Sequence, residues 1–196
     1  MIKYFKKNKT MTLLVIMTVV IFIIGLLLPS IINNNIEKEI NNNLNSFIQA
    51  IKNSKLNYIS LFKDMITNKL LLIVIIILLG VSVVGIPIII LLYASKVLIG
   101  GLELSFLIQN IRSYNLLFII VYLLPKLFEL LLLGLLIYYA LNFSIFMIRI
   151  LFINKQINVS KITFKYIKIC IIITILSIFI NLSEYFLYIK VLKYLI

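Results

Sequence analysis

Glu103, Lys126 and Glu129 stand inside long apolar stretches of the chain. An ionisable group at membrane depth costs about 2.5–3.5 kcal/mol on insertion scales, so each needs a physical reason to be there. Lys126 and Glu129 are three residues apart, which puts them on one helix face and lets them pair. Pairing offsets part of the insertion cost, and the pair then reads as a structural salt bridge near a helix start. The functional reading is an intramembrane polar patch of Glu103, Lys126 and Glu129 facing a cavity or a partner. Glu103 follows Gly100-Gly101, where close helix contact can bury its carboxylate against Lys96 or Arg112. Glu184, near the end of the last apolar run, is within reach of the interface. Asn142 and Asn181 can hydrogen-bond between helices. These groups do not form the regular series of acids expected of a proton relay.

Other chemistry is excluded by residue type. The chain has no His, which removes imidazole zinc sites and His-dependent nucleophilic triads. Its one cysteine, Cys170, lies in an apolar run, where a thiol is usually inert. The Gly-x-x-x-x-Gly-Lys-Ser/Thr phosphate loop is absent. The sequence therefore predicts no catalytic residue, no metal ligand and no cofactor.

The elements that must position these residues are membrane helices. Of 196 residues, 63% are hydrophobic, against roughly 45–50% in soluble domains, and the mean hydropathy is +1.19. Several runs reach the roughly 18 apolar residues that read as a membrane span. Residues 1–196 are thus expected to form a single integral membrane domain with the lipid bilayer as its surroundings. There are 19 Lys and Arg against 6 Asp and Glu, a formal net charge of +13. Basic helix ends facing anionic lipid account for this excess. No basic, aromatic-studded surface is left over for nucleic acid.

Lys3, Lys6, Lys7 and Lys9 precede the apolar run 11–28, and no small-x-small cleavage site follows it. This predicts an uncleaved anchor helix with a cytoplasmic start. In the Asn-rich segment 29–69, Ile36, Ile40, Leu44, Phe47, Ile48, Ile51, Ile59, Phe62 and Ile66 recur at mostly three- and four-residue steps. That stripe predicts an amphipathic extracytoplasmic helix, lying on the membrane or offering a platform to a partner. Residues 70–196 form the rest of the bundle. The run 70–93 reads as one span closed by Lys96, and 97–115 as the next. Gly80, Gly85, Gly100, Gly101 and Pro125 are the candidate helix-packing positions. The apolar stretch 116–152 is too long for one span. Proline fits best in a first helical turn, so a short or re-entrant piece at 116–124 and a helix at 125–150 are expected. Arg149, Lys155, Lys161, Lys165 and Lys168 mark a cytoplasmic loop before the last run, 167–189. With Lys96 also cytoplasmic, an even number of crossings lies between the two basic sites. The predicted fold is an all-α polytopic bundle of about five transmembrane helices, with six as the alternative.

The stretch Leu123-Leu124-Pro125-Lys126-Leu127-Phe128-Glu129-Leu130, with the preceding Ile99-Gly100-Gly101-Leu102-Glu103, resembles the stage II sporulation protein M family. In that family a glycine-bearing helix precedes a Leu-Pro-His-Gly motif and a nearby Glu. Here Leu124, Pro125 and Glu129 are kept, Lys126 and Leu127 replace His and Gly, and the Glu is one residue closer to the Pro. The resemblance implies a non-enzymatic scaffold or accessory subunit in the bacterial cell membrane, working with other envelope proteins. Two settings follow from it: a cell-wall hydrolase complex of sporulation, or a bacteriocin export or immunity system beside an ABC transporter. A carrier or channel would be favoured by inverted repeats, and the halves show no self-similarity.

Overall fold

The computed structural model describes residues 9–30, 58–109, 116–153 and 159–187. Positions 36–57 of the expected amphipathic helix 36–66 and the basic residues Arg112 and Lys155 lie outside them, while 58–66 belong to the membrane helix that begins at Tyr58. Among the described residues there are five α-helices: α1 Lys9–Leu27, α2 Tyr58–Val81, α3 Gly85–Gln109, α4 Leu116–Ile153 and α5 Val159–Leu187. A short 3-10 turn, Leu28–Ser30, follows α1. Four helical segments are long and apolar enough to cross a membrane: Lys9–Leu27, Gly85–Gln109, Tyr122–Ile150 and Val159–Leu187. The apolar part of α2, Ile66–Val81, is shorter. The fold is an all-α bundle of membrane character.

Two expected boundaries move. The run 70–93 is not one span: α2 ends at Val81 and α3 begins at Gly85. Pro87 lies in the first turn of α3, where its missing N–H costs nothing, whereas in a continuous helix it would clash with the preceding turn. Ser82 and Gly85 close the hairpin with backbone bonds to Leu79 and Ser82 at 3.0 and 3.2 Å. A Cβ on Gly85 would collide with the Leu79 carbonyl, so this tight reversal requires glycine. The chain therefore turns at 82–84, not at Lys96, and Lys96 becomes the twelfth of the 25 residues of α3. The second correction concerns Pro125, which lies inside α4 and does not start a helix. Helix α4 runs unbroken for 38 residues, about 57 Å at 1.5 Å per residue. Membrane helices accept an internal proline when neighbouring groups satisfy the freed backbone. Helix α2 also crosses residue 70, so 58–69 are continuous with the bundle.

The side-chain contacts fix the helix directions. Thr18 meets Tyr93 at 2.8 Å and Gly25 meets Gly101, so α1 and α3 run parallel. Gly134 packs on Tyr93 and Leu130 on Gly100, so α4 runs opposite to α3. Ser144 donates to the Gly80 carbonyl at 2.7 Å and the Ser82 carbonyl at 3.1 Å, tying α4 to the hairpin. The Tyr166 hydroxyl donates to the Ile77 carbonyl at 3.1 Å, and its ring stacks on Phe143 at 4.3 Å. Helix α5 is thereby antiparallel to α2 and α4. One end of the bundle collects the start of α1, the 82–84 turn, the end of α4 and the start of α5. Lys9, Arg149, Lys161, Lys165 and Lys168 cluster there. The core lies between the helices, around Ile76, Ile89, Val97, Leu136 and Ile137.

Candidate intramembrane polar site

The ion-paired residues of the bundle lie in the half opposite that basic end. They are carried by helices that can approach closely. A Cβ on Gly101 would come to 2.6 Å of the Phe22 carbonyl oxygen and 3.1 Å of the Gly25 Cα. The two backbones therefore touch, and small residues are required at this crossing. Gly80 is packed similarly against Ala140 and the Tyr166 hydroxyl, whereas Gly100 has ordinary room, with Leu130 at 3.6 Å. Gly25 and Gly134 serve in packing too, without having been singled out. A lone glycine in an apolar run carries no spacing signal.

Glu103 on α3 and Lys126 on α4 form an ion pair. Lys126 also donates to the Tyr122 hydroxyl, one turn earlier, at 2.7 Å. Pro125 is buried beside this pair. The antiparallel α3–α4 packing brings the two charges together from 23 residues apart. Lys126 and Glu129 do not pair with each other, contrary to the spacing argument. Their shared face is divided between two neighbours, with Lys126 turned to α3 and Glu129 to α2.

Glu129 accepts from Lys69 of α2 at 2.7 Å. Lys69 also reaches Glu184 of α5 at 2.6 Å and the Asn181 Oδ1 at 3.0 Å. An ammonium has three donors, and these three acceptors use them all. The Asn181 oxygen must face Lys69, because an amide nitrogen there would oppose donor to donor; its Nδ2 is buried with no partner among the described residues. Glu184 is 2% exposed, so its carboxylate does not reach the interface; its ion pair with Lys69 offsets the cost of burying it. Lys69 thus fastens three helices at one point. In the sequence it opens an apolar run, where a lysine ordinarily marks the membrane boundary, so nothing local distinguishes it. Asn142 on α4 accepts from Thr10 of α1 at 3.2 Å, an interhelical bond of the kind its position suggested.

Of the sequence-derived patch, Glu103 and Lys126 are in direct contact, and Glu129 belongs to the adjoining cluster with Lys69, Glu184 and Asn181. Glu103 is paired with Lys126 and not with Lys96. The arrangement sets charges of opposite sign on facing helices, one carboxylate to one lysine at Glu103–Lys126 and two carboxylates to one lysine at Lys69.

No curated protein and no solved structure matches the chain. The sequence profile of the family described as stage II sporulation protein M matches residues 11–184, from the first helix to the buried Glu184. With that match covering most of its length, the chain belongs to the stage II sporulation protein M family.

Proposed function

We propose that this multi-pass membrane protein is a non-enzymatic scaffold or accessory subunit of a bacterial cell-envelope complex. One observation carries the reading: Glu103, Glu129 and Glu184 are each bound to a lysine on another helix. Charges spent on joining helices give a rigid platform, and removing one partner of such a pair is costly. They also lie in two compact clusters, whereas a proton or ion path needs groups spaced across the membrane. The basic end, with Lys9, Arg149 and Lys161, supports a cytoplasmic N-terminus. With Lys126 and Leu127 in place of the family motif's His and Gly, a bacteriocin system with an ABC transporter stands beside the sporulation setting as the second candidate.

The test is in-cell cross-linking of the tagged chain at native abundance, followed by co-purification. A cell-wall hydrolase assembly or an ABC-transporter subunit is the expected partner. Recovery of neither, together with solute flux through vesicles holding the purified chain alone, would replace the scaffold by a carrier.

A further inference from the structure

Lys161, Lys165 and Lys168 follow one another at steps of four and three along the start of α5, so they share one helix face. All three are exposed. From first to last they run about 10 Å along the helix at 1.5 Å per residue. The same face continues at the same steps through Ile172, Ile175 and Phe179, which are 48%, 60% and 71% exposed. One open face therefore carries positive charge first and hydrocarbon after it, and its charged part lies at the basic end of the bundle.

The segments that meet at this end do not balance the charge. Residues 130–183 contain no Asp or Glu, and neither do residues 1–36 or the 82–84 turn. Glu103, Glu129 and Glu184 are bound to lysines in the opposite half. Lys9 and Arg149, also exposed at the basic end, add charge of the same sign. Lys161 stands in the first turn of α5, which holds no acid and where the helix dipole opposes a cation. The excess calls for an anion from outside the chain. Lys165 and Lys168 branch from deeper turns, yet Cα–Cβ bonds in a helix tilt toward its N-terminus, and long lysine stems can reach that way to the membrane surface.

We propose that this face of α5 binds an anionic phospholipid, its phosphate held by Lys161, Lys165 and Lys168 and its acyl chains lying along Ile172, Ile175 and Phe179. The order of charge and hydrocarbon along the face selects this occupant. A soluble acidic protein meets Lys161 but not the apolar continuation at membrane depth. A second copy of the chain brings only further basic residues to the same end. Orientation by basic flanks asks for positive charge anywhere in the flanking segments. A lysine stripe carried into the span places the lipid at one site, and experiment separates the two.

The test reconstitutes the full chain in phosphatidylcholine vesicles with a minor share of phosphatidylglycerol carrying a photoactivatable group in one acyl chain. Phosphatidylcholine with the same group serves as reference, and cross-linked residues are mapped by mass spectrometry of peptides. Phosphatidylglycerol should label residues 161–179 roughly tenfold more than the reference lipid does. The outward face of α1, with Ile16, Val20 and Ile23 exposed, should take both lipids alike. An even spread of phosphatidylglycerol label over α1 and α5 would overturn the proposal, and that comparison needs no variant to fold. Lys161→Gln, Lys165→Gln and Lys168→Gln together should remove the enrichment, and the corresponding triple Arg variant should keep it. Lys3→Gln, Lys6→Gln and Lys7→Gln together remove the same charge and should leave it in place. Equal loss in the two Gln variants would reduce the effect to general basic charge and overturn the site. Displacement of the label by inorganic phosphate, or by soluble polyglutamate, would equally overturn it, the second by assigning the face to an acidic protein.

Discussion

At the scale of single residues, the pairing partner decides the consequence of a substitution. Lys126→Met leaves the Glu103 carboxylate without its partner in the bundle. Combining it with Glu103→Leu should restore membrane abundance, because both members of the pair are then gone. Combining it with Glu129→Leu should not, since Glu103 stays unpaired and Lys69 loses one of its acceptors. Abundance of the three variants by quantitative immunoblot decides which carboxylate answers Lys126. Lys69→Met should be the most damaging single change, because Glu184 is 2% exposed and its ion pair with Lys69 is lost. Breaking a buried pair costs about 3–5 kcal/mol, which a thermal-stability assay in detergent would register as unfolding at a markedly lower temperature. Retained stability would remove Lys69 from its place as the bundle's fastening point.

At the scale of elements, helix crossings and turns set the tolerances. Gly100→Ala has room, with its nearest neighbour at 3.6 Å, whereas Gly101→Ala would press on the α1 backbone at Phe22 and Gly25. The first should leave thermal stability nearly unchanged and the second should lower it; equal effects would place the α1–α3 contact elsewhere. Ser144 binds two carbonyls at the α2–α3 hairpin. Ser144→Ala should cost about 1–3 kcal/mol, since it leaves the buried Gly80 carbonyl without this donor. The same stability assay would show it, and no loss would mean that the hairpin is held by its own backbone bonds.

At the scale of the whole molecule, α1, α3 and α5 run one way and α2 and α4 the other, so the ends of the bundle alternate. Five crossings follow if the short apolar part of α2 completes its own. The single native thiol, Cys170, is buried and should stay silent in labelling experiments. Engineered cysteines at Val84 and Lys161 should then resist a membrane-impermeant reagent in intact cells, and one at Lys63 should react. Labelling of the first two from outside, with Lys63 protected, would invert the orientation.

The sequence by itself determined the class and much of the layout. Hydropathy and apolar run length gave a membrane bundle, and the Leu124-Pro125 and Glu129 signature with Gly100-Gly101 gave the family. These signals are local, carried by composition and short spacing. The partners of the charges were not legible, because a three-residue step says only that Lys126 and Glu129 share a face, not which helices stand against it. The tertiary structure turned those two residues to different neighbours and buried Glu184. It drew Lys69 from an apparent boundary into the core of a three-helix contact. The turn at 82–84 was hidden for a related reason: an apolar run reads the same whether it crosses once or doubles back. Only the packing of Gly85 on Leu79 and of Ser144 on the hairpin carbonyls settled that the chain reverses there, and that reversal is what places Lys96 in mid-helix.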